Sequence, residues 1–212
     1  MEGIQAKKVV HCWEACWSDS SMEEWQQKVI SIFRSKATIS DEAIAALIKK
    51  WSHSAQLKRN DFLVSRGQVE TNLYYVVSGS MRIFYPVKEE EIVAGFAYDH
   101  NLICSYPSFI RQQPSDYAIQ ALGTTKLKFI KRSDFYDLFN AHRDIETAWR
   151  MLEEEALVGK IEREVEMLTF TPEERYKRLM DRSPHIFQII PRKYIASYLR
   201  MSPETLSRIK LV

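Results

Sequence analysis

Two hydrophobic rhythms follow one another along the chain. Between residues 25 and 51 apolar positions recur every three to four residues: Val29, Ile32 and Phe33, then Ile44, Leu47, Ile48 and Trp51. That spacing predicts two amphipathic helices. Ser40 can cap the second, with Asp41 and Glu42 in a first turn where the helix dipole favours negative charge. The period then drops to two, or to short apolar runs, over 61–64, 73–77, 81–87, 92–97, 117–122 and 126–131. Gly67, Gly79, Gly95 and Gly123 fall at or near the ends of these strands. Many short strands with turn residues between them point to an antiparallel roll or barrel. A doubly wound nucleotide fold is disfavoured, because no long helices alternate with the strands and no Gly-rich phosphate loop is present.

Helical spacing returns after residue 132. Ser133 can cap a short helix over 134–139. A longer one over 144–168 aligns Ile145, Trp149, Leu152, Ala156, Ile161, Val165 and Leu168 in one stripe, flanked by Glu153, Glu154, Glu155, Lys160, Arg163 and Glu164. Such a helix is about 37 Å long, more than a small roll can cover. The stripe is therefore expected to meet a copy of itself, with Ile145, Trp149, Leu152, Ala156, Ile161 and Val165 at a homodimer seam. Thr171-Pro172-Glu173-Glu174 combines a cap, a first-turn proline and a capping box, and starts a helix that runs to about residue 181. Pro184 stops it. Pro191 opens a helix over 192–200, and Ser202-Pro203-Glu204 opens the last, from 203 to about 210.

Composition narrows the class. The 212 residues are 45% apolar and 27% charged, ordinary for a globular chain. The longest unbroken apolar run, 43–48, is six residues, far short of the roughly 20 a membrane span needs. Nothing near the start resembles a secretory signal, and Cys12, Cys16 and Cys104 cannot all pair with one another. A cytoplasmic, membrane-free protein is expected. Residues 1–21 hold His11, Cys12 and Cys16 with Trp13 and Trp17 between them. That spacing matches no standard zinc pattern, so no metal is expected and the segment reads as a loosely packed extension. The net charge of +2 conceals an asymmetry: residues 168–212 carry +5 and the rest −3. A basic module on an acidic body is what a polyanion binder needs.

The two helices flanking Arg200-Met201-Ser202 have helix-turn-helix spacing. Ile195, Ala196 and Leu199 give the first an inner face, and Leu206 and Ile209 the second. Glu204, Thr205, Ser207 and Arg208 are left on or beside the outer face. There Arg208 can donate a bidentate pair to guanine and Glu204 can accept from cytosine N4. Ser202, Thr205 and the exposed N–H groups of the helix can hold a phosphate.

Ile195-Ala196-Ser197-Tyr198-Leu199 followed by Ser202-Pro203-Glu204-Thr205-Leu206-Ser207-Arg208-Ile209 resembles the recognition unit of the Crp/Fnr transcription regulators. Leu73-Tyr74-Tyr75-Val76-Val77-Ser78-Gly79 resembles the strand-and-glycine signature of their cyclic-nucleotide-binding-like roll, and Thr171-Pro172-Glu173-Glu174-Arg175-Tyr176 is similar to a helix start common among them. The resemblance covers roughly residues 25–212. It implies an α+β fold: an antiparallel, double-stranded jelly-roll-like β-roll sensor domain, a long dimerisation helix and a C-terminal helix-turn-helix domain. The domains expected are an extension (1–24), the roll (25–141), the dimerisation helix (142–168) and the DNA-binding domain (169–212). The resemblance also implies a homodimer on a palindromic promoter. Glu204, Ser207 and Arg208 would read bases, and Arg192, Lys193, Ser202 and Thr205 would hold the backbone. RNA polymerase and a small-molecule effector are the further partners it allows.

Three departures qualify the resemblance. Cyclic-nucleotide-binding members carry Gly-Glu and Arg-Ser or Arg-Ala in a phosphate cassette, where this chain has Cys104-Ser105 and Ser115-Asp116. With neither the carboxylate nor the guanidinium in position, and Asp116 repelling phosphate, cyclic AMP is disfavoured and Arg111 is the nearest substitute cation. Cys12 and Cys16 are too few for the family's iron–sulfur cluster. Arg200 stands where the turn usually has glycine, and no complete wing follows the last helix. Outside the family, a β-roll enzyme would need clustered His and carboxylate ligands, which the five histidines do not supply, so no catalytic residue is expected. The remaining alternative is a sensor module that works through protein partners with a vestigial DNA helix.

Overall fold

A computed structural model describes residues 22–88 and 90–209. His11, Cys12 and Cys16 lie outside the described residues. The chain opens with α1 (Glu24–Arg34) and α2 (Asp41–Lys50). A capping box between Glu23 and Gln26 starts α1. Ser40 starts α2, its Oγ accepting the Ala43 N–H at 3.3 Å. Val29, Phe33, Leu47 and Trp51 of this pair are at most 1% exposed.

Eight antiparallel strands follow: β1 (His53–Leu57), β2 (Phe62–Val64), β3 (Asn72–Ser78), β4 (Ser80–Val87), β5 (Glu90–Tyr98), β6 (Leu102–Ile103), β7 (Ala118–Ala121) and β8 (Thr125–Lys131). They form two sheets, ordered β1-β8-β3-β6 and β2-β7-β4-β5. Val76 and Leu127 of the first sheet and Met81 and Ile119 of the second belong to one buried cluster between them. On the outer face of the first sheet, Leu73, Tyr75 and Ile130 join the core made by α1 and α2. Side chains of β3 thus alternate between two cores, and for that reason 73–77 reads as an unbroken apolar run. Gly79 links β3 to β4 at φ +114°; a Cβ there would come within 2.7 Å of the Thr124 carbonyl oxygen, so the turn needs glycine.

The expected strands are present, each within two residues of its expected ends. Periodicity missed β1 and β6. β1 offers only Ala55 and Leu57 as apolar residues and β6 is two residues long. Two short helices were also missed, α3 (Tyr106–Arg111) and α7 (Ile186–Ile189). The expected cap at Ser133 is corrected: α4 (Arg132–Ala141) starts two residues earlier than expected, Lys131 is its N-cap, and no side chain caps it.

Next comes α5 (Arg143–Thr169), 27 residues and about 40 Å long. Its apolar stripe is not one seam. Ile145 and Ala148 are fully buried in the chain's own core, and the Trp149 ring stands edge-on to Phe135 at 4.8 Å. Ile145 is therefore corrected from seam to core: α1, α2 and α4 cover the first turns of α5 and leave it no surface for a partner, while half-buried Trp149 packs against the same core. Beyond Leu152, itself half-buried, Ala156, Leu157, Val158, Ile161, Val165 and Leu168 are exposed. The last helices, α6 (Pro172–Arg182), α7, α8 (Arg192–Tyr198) and α9 (Pro203–Arg208), share a third core built on Tyr176, Leu179, Ile195 and Leu206. Among the described residues no helix is long and apolar enough to cross a membrane.

Candidate functional site

The C-terminal helix pair is assembled by local chemistry. At the start of α6, Thr171 Oγ accepts the Glu174 N–H at 3.3 Å while Glu174 accepts the Thr171 N–H at 2.8 Å. Burial of Ile195 and Ala196 holds α8 inward, and Leu206 does the same for α9. Between the helices Arg200 takes φ +56°, a left-handed conformation that strains any residue but glycine. The Ser202 hydroxyl then caps α9, accepting the Thr205 N–H at 3.1 Å.

This geometry leaves Ser202, Glu204, Ser207 and Arg208 exposed on α9, with Thr205 half-buried beside them. Arg192 and Lys193 are exposed in the first turn of α8. A hydrogen bond from the Ser202 side chain, helped by the backbone and by Arg208, holds the Glu204 carboxyl below the usual range. It is a standing acceptor one turn from a guanidinium. Helix α9 ends at Arg208, two residues before its expected end.

The side of α8 away from α9 is occupied by the roll, which sequence reasoning did not anticipate. The Ser197 hydroxyl accepts the Val93 N–H at 3.0 Å and donates to the Glu91 carbonyl at 3.3 Å, both on β5. Tyr198 packs on Phe96, ring centroids 5.2 Å apart. The Arg163 guanidinium of α5 lies 3.5 Å from the Tyr198 ring centre and donates to its carbonyl at 2.7 Å. From β4, Arg82 sits between Phe84 and Tyr194, 4.0 and 4.3 Å from the ring centres. Though 4% exposed, its guanidinium is satisfied by Gln120 and by Glu91 at 2.6 Å. No sequence pattern marks this contact, because a cation in an alternating strand reads as a solvent-facing position.

In the roll, Cys104, Ser105 and Ser115 come together and Asp116 does not join them. The Ser105 and Ser115 hydroxyls are 2.7 Å apart and buried. Because the Ser115 hydroxyl donates to the Tyr117 carbonyl at 2.8 Å, Ser105 is the donor between them. Burial pushes the Cys104 thiol up, with the nearby Glu70 charge adding to it. Asp116 and Arg111 are exposed. A further organiser is Glu70, whose carboxylate accepts the N–H groups of Thr71, Asn72 and Ser105 at 3.0–3.3 Å. Burial nonetheless pushes the Glu70 carboxyl up. No periodicity singles it out, since one acid before a strand is unremarkable in sequence. The serine pair is closed by its own hydrogen bonds, and among the described residues no ion pair reaches Glu70.

Residues 54–142 match the cyclic nucleotide-binding domain. No curated protein sequence matches the chain. Among solved structures, FixK2 from Bradyrhizobium japonicum is 16% identical with a TM-score of 0.63, over 74% of this chain and 81% of that one. The c-di-GMP-responsive global regulator CLP of Xanthomonas campestris is 18% identical with a TM-score of 0.60, over 80% and 89%. A CooA mutant from Carboxydothermus hydrogenoformans is 11% identical with a TM-score of 0.62, over 82% and 85%. The roll thus has the cyclic nucleotide-binding domain fold, and 74–82% of the chain shares the fold of these three solved structures.

Proposed function

We propose that this chain is a DNA-binding transcription regulator that acts as a homodimer in the cytoplasm and reads a palindromic promoter site with α9. The carrying observation is the exposed Glu204–Arg208 face, held out by a capped turn at the basic end of the chain. In this reading Glu204, Ser207 and Arg208 contact base edges, while Arg192, Lys193, Ser202 and Thr205 hold phosphates. The uncovered half of α5 supplies the seam between copies, through Leu152, Ala156, Ile161 and Val165. Contact with RNA polymerase follows from the same reading. No catalytic role is assigned to any residue, and the structural neighbours are regulators.

Cyclic AMP is not the effector we infer for the roll. The positions where related rolls place a carboxylate and a guanidinium hold Ser105 and Ser115, bonded to each other. Calorimetry is expected to show no micromolar binding of cyclic AMP; saturable micromolar binding would refute this. The central test selects duplexes from a random pool with the purified chain. A two-fold symmetric site is expected, with affinity falling steeply as salt rises. A chain that ignores every duplex at low ionic strength overturns the assignment.

A further inference from the structure

Where the β4–β5 hairpin, the second half of α5 and the turn after α8 meet, a cleft of about 460 Å³ opens. Lys160 and Arg163 of α5 and Arg200 of the turn line it, with Tyr85, Ile92 and Val93 as the aromatic and apolar wall. We infer that this cleft binds a small phosphomonoester. A role for such binding in regulation rests on the DNA-binding reading above, whereas the binding itself does not.

The cations of the cleft are not held in ion pairs, although the Glu166 charge acts on Arg163 from the same helix. Glu164 shares the rim, yet among the described residues no ion pair joins it or any other acid to Lys160, Arg163 or Arg200. The buried acid on the same helix, Glu166, is already shared by Arg178 and Arg182 at 3.3 and 3.5 Å. Arg163 is held through Nη2 by the Tyr198 carbonyl, but its Nη1 is buried without a partner. An unsatisfied buried donor is costly, more so on a charged group. Burial also pushes Arg163 down, and burial and then the Arg163 charge push Lys160 down. An anion in the cleft favours the charged form of both cations and so opposes these shifts.

Arg200 adds a third cation, from the turn after α8. It takes φ +56°, as Asn60, Lys88, His100 and Gln112 also take positive φ. Three cations converging from a helix and a turn suit an anion with more than two accepting faces. A phosphomonoester brings two formal charges and three terminal oxygens, a carboxylate one charge and two oxygens, and a cyclic diester one charge. The apolar wall beside Tyr85 takes the organic remainder, and the volume suits a sugar phosphate or mononucleotide. Because roll, long helix and reader each contribute a wall, an occupant favours the arrangement in which all three are together.

The test is calorimetric titration of the full chain, in the absence of DNA, with inorganic phosphate, a hexose phosphate, adenosine 5′-monophosphate and cyclic AMP. At least one monoester is expected to bind with Kd below about 1 mM and more tightly than cyclic AMP. Lys160→Gln and Arg200→Gly should each weaken it about tenfold. Arg200→Gly relieves the backbone strain, so loss of binding there is not loss of folding. The inference is overturned if no monoester binds below about 1 mM, or if both variants bind as the parent does. It is also overturned if the variants lower affinity for all duplexes alike and no monoester binds, since the cations would then serve the DNA backbone. Failure here leaves α9 as a DNA reader, and failure to bind DNA leaves a positive titration standing.

Discussion

The two halves of α5 have the same helical character and opposite surroundings. In the first, Ile145 and Ala148 are sealed beneath α1, α2 and α4, and Trp149 stands against Phe135. In the second, Met167 is half-buried, but Leu157, Val158, Ile161, Val165 and Leu168 are exposed, from 49% at Val165 to 77% at Leu168. One periodic stripe thus does two things: it anchors the helix to its own roll, and then carries an apolar surface beyond the reach of that roll. Periodicity reports that a residue wants to be buried; it is silent about what buries it.

That contrast can be broken from either end. Ile145→Ala removes a fully buried side chain and should destabilise the fold by about 2–5 kcal/mol in denaturant titration, with the monomer–dimer equilibrium of the folded chain unmoved. Ile161→Asp should do the reverse. At concentrations where both chains are monomeric, unfolding shifts by no more than about 0.5 kcal/mol, while sedimentation shows dimerisation weakened about a hundredfold. Equal effects of the two substitutions on folding would show that the second half is covered within the chain. If dimerisation sets the two readers on one site, Ile161→Asp also lowers promoter affinity.

A smaller effect separates reading from holding. Arg208→Ala should cost about 1–3 kcal/mol on the selected site and much less on scrambled duplex in binding assays; equal losses would make Arg208 a phosphate contact. The smallest effect concerns how the buried half of α5 is tied down. Asp144 accepts the Ser40 N–H at 2.8 Å and its hydroxyl at 2.9 Å, joining the starts of α5 and α2. Burial alone would raise the Asp144 carboxyl, but these bonds and the Ile145 N–H together hold it below its usual range. A carboxyl lowered in the folded state stabilises above its unfolded pKa, and that contribution disappears as pH falls through the folded value. Asp144→Asn should therefore cost less than about 1 kcal/mol at neutral pH. The gap between parent and variant in thermal unfolding should close in acid.

Much of the architecture was legible because it is written locally. Ser40, Thr171 and Ser202 announce helix starts within four residues of sequence, and each hydroxyl accepts the N–H expected of it. The candidate reading face was legible for the same reason: Leu206 and Ile209 set which way α9 turns. What was not legible joins distant parts of the chain. Ser197 meets Val93 across 104 positions and Arg82 meets Tyr194 across the boundary between the roll and the C-terminal helices. Neither leaves a period or a motif behind. The sealed serine pair was half legible: the missing carboxylate and guanidinium could be seen in sequence, but the Ser105–Ser115 bond that fills their place could not.

The docking of α8 on β5 has a consequence for solubility. β5 is the outermost strand of its sheet, and the Ser197 hydroxyl occupies its Val93 N–H while Tyr194 and Tyr198 cover Phe84 and Phe96. A chain whose C-terminal helices swing away bares a strand margin flanked by aromatic rings, the kind of surface on which another molecule's strand can template. Swinging free and clumping together are thus coupled hazards, and the seat of Tyr194, Ser197 and Tyr198 on the roll guards against both.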